Sequence, residues 1–126
     1  MYKAEEDYLE AILIQEQKSG TVRSVDIAKA KDVTKPSVSR AMAALRDKGF
    51  VVFGGNNAIQ LTEDGRKKAE AVYDRHKLLT GFFVKITGME REQAEQNACR
   101  VEHDVDCDII EGIREWMRKD GDDVDE

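Results

Sequence analysis

The sequence predicts a mainly α-helical protein, with a winged helix-turn-helix over residues 1–64 and a helical half over residues 65–126. Three observations predict it. Apolar residues recur at helical spacing along most of the chain. A capped helix start at Thr34-Lys35-Pro36-Ser37 follows closely on a short helical stretch. Two β-prone runs then flank a loop of glycine and asparagine, the chemistry of a hairpin.

Helix one is read over residues 4–17, from the broad stripe formed by Tyr8, Leu9, Ala11, Ile12, Leu13 and Ile14, and it ends near Ser19-Gly20. Ser24 stands where an N-cap belongs, ahead of Val25, Ile27 and Ala28, and this second helix closes at Lys31-Asp32-Val33. Thr34 caps a third helix with Pro36 in its first turn, where a missing amide hydrogen costs nothing. Val38, Met42 and Leu45 share its apolar face, and Gly49 stops it. Residues 50–53 and 58–61 pair as a hairpin around Gly54-Gly55-Asn56-Asn57, which makes the wing. Thr62 caps a long helix running to Thr87-Gly88. A further pair is read from Met89 or Glu90 to about Cys107, and from Asp108 to Lys119.

Composition narrows the function classes. A chain of 126 residues, 40% hydrophobic and 37% charged, makes one compact body or two small ones. Its apolar runs are only a few residues long, far short of the roughly 20 that cross a bilayer. The acidic start, Glu5-Glu6-Asp7, is unlike a secretory leader, so a cytoplasmic protein is expected, with no membrane partner. Cys99 and Cys107, eight apart on a stretch read as helix, would lie about 12 Å apart at ~1.5 Å per residue, too far to bridge. Reduced thiols follow, with Cys107 expected in the core.

The net charge is −6, but it is unevenly spread. Residues 19–53 carry seven Lys or Arg against three Asp, whereas residues 76–126 carry seven against fourteen acids. Four of those acids fall in the last six residues. A basic first third suits phosphate contact. Within it, two helices joined by a tight turn can lay the second helix's N-terminus in a DNA major groove. Thr34, Lys35, Pro36, Ser37, Ser39 and Arg40 form that start, with hydroxyls and amides suited to phosphates and Arg40 able to reach a guanine edge. The plain reading is a capped helix with a solvated face. The local charge and the hairpin that follows favour DNA. The wing has no Lys or Arg between Phe50 and Leu61, leaving Asn56, Asn57 and backbone amides for phosphates.

A second constellation points to a metal. Cys99, Glu102 and His103 stand at i, i+3 and i+4, on one face of a helix, and Asp7 and Glu10 pair their carboxylates three apart on helix one. His76 is the other of the chain's two histidines. Thiolate, imidazole and carboxylate together suit iron(II), manganese(II), cobalt(II), nickel(II) or zinc(II), and not calcium alone. Each residue also has a plain reading: a solvated acidic helix start, a partly buried histidine, a small core cysteine.

The runs Glu6-Asp7-Tyr8-Leu9-Glu10-Ala11-Ile12, Pro36-Ser37-Val38-Ser39, Leu61-Thr62-Glu63-Asp64-Gly65, Arg75-His76-Lys77-Leu78-Leu79 and Ala98-Cys99-Arg100-Val101-Glu102-His103 resemble the diphtheria toxin repressor and manganese transport regulator family. The resemblance covers nearly the whole chain in order. It implies a homodimeric, metal-activated transcriptional repressor in the short two-domain form, a winged helix joined to a helical dimerisation domain, acting on pseudo-palindromic operator DNA. By the same resemblance Asp7, Glu10, His76, Cys99, Glu102 and His103 are the metal ligands. The pattern is a hybrid: iron-responsive members resemble this chain at Cys99, manganese-responsive members at Asp7 and Glu10. Thr80 and Glu95 depart from the iron-type ancillary site, where Glu95 could still coordinate. The thiolate tilts the expected ion toward iron(II) over manganese(II), with zinc, cobalt and nickel also able to bind.

Rival readings use fewer of these residues. A metal-independent winged-helix regulator sensing oxidation or a small organic ligand leaves the carboxylates idle. A small metallo-hydrolase with Glu102 as base leaves the basic third idle, and so does a metal buffer. No enzyme is expected.

Overall fold

The computed structural model describes residues 2–119, so the acidic segment 121–126 lies outside the described residues. The fold class is the expected one. Among the described residues six α-helices and a two-stranded sheet follow in the order α1 (Tyr2–Ser19), α2 (Ser24–Lys31), α3 (Lys35–Asp47), β1 (Val51–Phe53), β2 (Ile59–Leu61), α4 (Glu63–Thr87), α5 (Arg91–Val101) and α6 (Cys107–Lys119). The chain forms two compact units, one up to Glu70 and one from Ala71 onward.

The first unit is the winged helix. Leu9, Ile12 and Leu13 of α1, Ile27 of α2, and Val38, Met42 and Leu45 of α3 are buried and form its core with Val51 and Ile59 of the sheet. Gly20, at φ +84, ends α1, its amide donating to the Glu16 carbonyl at 2.9 Å. The N-cap of α2 is Arg23 and not Ser24. The cause is Asp26, whose carboxylate accepts the Arg23 amide at 2.9 Å and moves the boundary back one residue. Asp32 closes α2 in the left-handed region at φ 57, a conformation aspartate tolerates, and the turn to α3 is three residues long.

The wing is shorter than expected, three residues to a strand, antiparallel with Val51 opposite Leu61, Val52 opposite Gln60 and Phe53 opposite Ile59. Its turn is tight because Asn56 and Asn57 both adopt positive φ. Val22 adds an unforeseen bridge to Ile59, the Ile59 amide donating to the Val22 carbonyl at 2.7 Å.

The first two turns of α4 belong to this unit, for reasons visible at single residues. Thr62 caps the helix through the Gly65 amide at 3.0 Å and donates its hydroxyl to the Gly49 carbonyl at 2.7 Å. Arg66 grips both carboxylate oxygens of Glu16 at 2.8 and 2.9 Å, and those hydrogen bonds raise its pKa above the ordinary arginine value. Glu5 takes Lys48 at 2.6 Å and Lys68 at 3.8 Å. Gly65 is fixed sterically: a Cβ there would collide with the Phe50 carbonyl oxygen and sit 2.8 Å from its carbon. Glycine to alanine inside a helix ordinarily gains about 1 kcal/mol. Here the collision reverses the sign, and Gly65→Ala is expected to cost about 1–3 kcal/mol, seen as a lower urea midpoint. An unchanged or raised midpoint would show that this contact does not set the α4 start.

The second unit packs the rest of α4 with α5 and α6 around Leu78, Leu79, Ala98, Ile110 and Met117. Here the expected boundaries fail. α5 stops at Val101, and residues 102–106 turn before α6 begins at Cys107. The backbone carbonyl of Asp106 accepts the amides of Ile109 and Ile110 at 3.1 and 3.2 Å, starting a new helix on a residue type favoured at N-caps. No glycine or proline marks the break. Cys107 is therefore the first residue of α6, and exposed, not in the core; neither cysteine is in a disulfide. Ile86, near the end of α4, is 52% exposed. No described helix is long and apolar enough to cross a membrane.

Candidate metal centre and nucleic-acid interface

Among the described residues, the buried polar or charged ones are Glu10, Thr80 and Glu102. Thr80 is accounted for within its own helix, its hydroxyl donating to the His76 carbonyl at 2.8 Å. The other two are carboxylates, the costliest groups to bury without a compensating partner. Both were singled out by spacing.

In the second unit Glu102 is 0% exposed. Its Oε1 meets His76 Nδ1 at 2.7 Å, and its Oε2 lies 3.3 Å from His103 Nε2. That second contact lacks hydrogen-bond geometry, so Glu102 Oε2 is a buried oxygen without a hydrogen-bond partner. The His103 side chain is buried, 1% exposed, and that of His76 nearly so. A His76 tautomer donating from Nδ1 to the carboxylate keeps its lone pair on Nε2, the arrangement by which carboxylates orient ligating histidines. A buried carboxylate with an orphan oxygen beside two imidazoles suits a divalent transition metal in donor type. Cys99, one turn earlier on α5, is exposed, and its thiol is not among the convergent donor atoms.

In the first unit Asp7 and Glu10 share a face of α1, with ligand oxygens able to lie within 4.8 Å of each other. Asp7 is half-buried and Glu10 buried. A pair of carboxylates so placed is a bidentate oxygen donor in waiting.

Sequence reasoning missed Arg75. Its Nη1 donates to the Glu102 main-chain carbonyl at 2.7 Å. Its position beside His76 was the only available signal, since the acceptor is a backbone atom that no side-chain pattern reveals.

The helix-turn-helix presents its residues unequally. Thr34 is the N-cap of α3: its Oγ1 accepts the Ser37 amide at 3.3 Å and donates to Ser37 Oγ at 3.0 Å. Ser37 is half-buried, while Lys35, Pro36, Ser39 and Arg40 are exposed on the first turns. The wing carries no cation of its own but borrows two. Arg23 Nε donates to the Asn56 carbonyl at 3.3 Å, and the Arg46 guanidinium lies 5.6 Å from the Phe53 ring centre.

Comparison with known proteins gives the family. Residues 1–59 match the family model described as iron dependent repressor, N-terminal DNA binding domain. Residues 62–122 match the one described as iron dependent repressor, metal binding and dimerisation domain. An uncharacterized HTH-type transcriptional regulator of Methanocaldococcus jannaschii is 30% identical over 120 residues, covering 94% of this chain and 96% of that protein. The chain belongs to the iron-dependent repressor family. The iron-dependent repressor IdeR of Mycobacterium tuberculosis is 32% identical over 104 residues, 82% of this chain and 45% of that one. A solved manganese-dependent transcriptional repressor in complex with manganese superposes with a TM-score of 0.83 at 27% identity, over 90% of this chain and 52% of that one. The chain thus spans about half the length of these last two proteins. Membership speaks for a metal-dependent regulator and against the metal-independent alternative, and the relatives are regulators, not enzymes.

Proposed function

We propose that this protein is a metal-dependent transcriptional repressor that binds a pseudo-palindromic operator as a homodimer when loaded with iron(II) or manganese(II). The observation that carries the reading is the buried Glu102 carboxylate, its Oε1 against His76 and its Oε2 beside His103 but without a hydrogen bond, in a chain whose other unit is a winged helix.

Asp7, Glu10, His76, Cys99, Glu102 and His103 are the proposed ligands, and residues 1–64 and 65–126 the proposed reading and metal-binding domains. A bound divalent metal would act as a Lewis acid, offsetting part of the negative charge of the carboxylates and thiolate that hold it. The protein's own residues do the rest. Glu102 holds the His76 ring in orientation, and His103 follows it at the end of α5. Thr34 fixes the start of α3, so Lys35 and Ser39 face phosphates while Arg40 reaches a base edge. Arg23 and Arg46 bring to the wing the positive charge its own sequence lacks. Because metal and operator would favour the same conformation, each tightens binding of the other by the same factor. Preference for iron(II) over manganese(II) requires the Cys99 thiolate, a softer donor than oxygen, to turn from its exposed position and join the ligands.

The homodimer has a candidate face. Ile86, Ile109 and Trp116 are 52%, 55% and 44% exposed, and with Phe82, Gly112 and Ile113 they line an open apolar groove of about 440 Å³ on the second unit. Contiguous exposed apolar surface rimmed by charge marks an interaction site.

Selection from a randomised duplex pool tests the function. With iron(II) or manganese(II) present, the enriched sequences should be pseudo-palindromic, with half-sites one helical turn or a multiple apart. Enrichment of the same sequences with chelator present would contradict metal dependence.

A further inference from the structure

We infer that Arg75 is a positioning residue that sets the relative orientation of Glu102 and His103 by holding the peptide bond between them. The inference rests on the metal-centre reading above. It goes beyond it by assigning a role to a residue that offers no ligand atom.

The geometry is specific. Glu102 is the C-cap of α5, still helical at φ −61 and ψ −25, its amide donating to the Ala98 carbonyl at 2.9 Å. The last carbonyls of a helix have no intrahelical donor. That of Glu102 is met instead by Arg75 Nη1 at 2.7 Å, the short length of a charge-assisted hydrogen bond. This carbonyl belongs to the peptide that joins Glu102 to His103. Rotating that peptide changes ψ of Glu102 and φ of His103 together, and so swings one side chain against the other. Arg75 blocks the rotation.

The next residue completes the grip. His76 takes the Glu102 side chain at Oε1, 2.7 Å away, while Arg75 takes its main chain. Two consecutive residues of α4 thus hold both ends of one buried carboxylate residue, on a segment whose helix has just ended at Val101. Without such a tether residues 102–106 form a turn tied back to α5 through the Glu102 amide on the Ala98 carbonyl and the Asp104 amide on the Val101 carbonyl, and two donors meant for one ion would sample several separations. A guanidinium suits the task because it stays charged and its fork is rigid.

An arginine that merely capped α5 would stabilise the fold without tuning the donors, and the two roles separate experimentally. Cobalt(II) binding to the full-length protein is measured by chelator competition and by the visible absorption of the bound ion, for wild type, Arg75→Met, Arg75→Lys and Glu102→Gln. Arg75→Met keeps the apolar stem and removes every donor. It should weaken cobalt(II) binding by about 10- to 100-fold, the usual cost of losing an outer-shell partner, and should shift the absorption bands. Arg75→Lys, which keeps a charged donor, should recover part of both, with the helical circular dichroism of the metal-free proteins unchanged. Wild-type affinity and spectrum in Arg75→Met, alongside lost binding in Glu102→Gln, would overturn the role of Arg75 alone. Retained binding in Glu102→Gln would remove the metal-centre reading and this inference with it. Weakened binding in Arg75→Met that tracks loss of helix and is not relieved by lysine would overturn positioning in favour of a purely structural arginine.

Discussion

Glu102→Gln is expected to abolish metal-activated operator binding while leaving the metal-free protein at least as stable as wild type. The two halves of that result pull against each other in a way only a ligand explains. Glu102 is fully buried, and one of its oxygens accepts no hydrogen bond. A buried carboxylate in that state is a burden on the fold, since an unsatisfied buried polar atom costs about 1–3 kcal/mol and a charged one more. Glutamine keeps the volume and removes the charge, so the melting temperature of the metal-free protein should hold or rise. A structural ion pair would behave in the opposite way, because removing one member of a buried pair is strongly destabilising. Metal should stabilise the wild type through linkage, by about 2.7 kcal/mol at 100 times Kd, and so raise its melting temperature. It should leave the variant's unmoved. Metal affinity should fall by more than the roughly 100-fold that marks the upper range for outer-shell changes. Thermal scans with and without manganese(II), paired with operator binding, read both halves. A variant that melts earlier and still responds to metal would make Glu102 a structural residue.

Ile109→Asp is expected to leave the fold intact and break the dimer. On α6 the residues seven apart fall into two stripes. Ile110 and Met117 are buried in the second unit, whereas Ile109 and Trp116 face outward, 55% and 44% exposed, with Trp116 edge-on to Phe82 at 5.7 Å. A carboxylate at an exposed position costs the monomer little. In the centre of an apolar interface it would be desolvated without a partner. Sedimentation at micromolar concentration should show a monomer. Operator affinity should drop by about 10²- to 10⁴-fold, the gain usually brought by linking two half-site contacts. A dimer that survives the substitution would place the interface elsewhere.

The sequence made local chemistry legible and left tertiary chemistry hidden. Thr34 with Ser37 and Pro36 announced the start of α3, and Gly54 to Asn57 announced the wing turn, because caps and positive φ angles restrict residue type at the position itself. Spacing alone brought Glu102 and His103 forward. What failed was decided by partners distant in the chain or by the absence of a usual signal. The turn at residues 102–106 carries no glycine or proline, so the helical pattern ran through it to Cys107 and buried that residue on paper. Arg23 became the cap of α2 through its own amide, an atom every residue has. Arg75 acts on a backbone carbonyl 27 residues away. Ile86 and Ile109 are exposed although they lie on helices with buried apolar residues, because periodicity cannot tell an inward stripe from an outward one.

The most direct measurement is an anaerobic fluorescence-anisotropy titration of selected operator DNA at fixed salt, first with chelator and then with iron(II), manganese(II) or zinc(II). Fixing the salt matters because phosphate contacts alone make affinity steeply salt-dependent. A metal-activated repressor predicts weak binding with chelator and a steep gain with metal, larger for iron(II) than for manganese(II). Equal affinity with chelator and with every metal would contradict it.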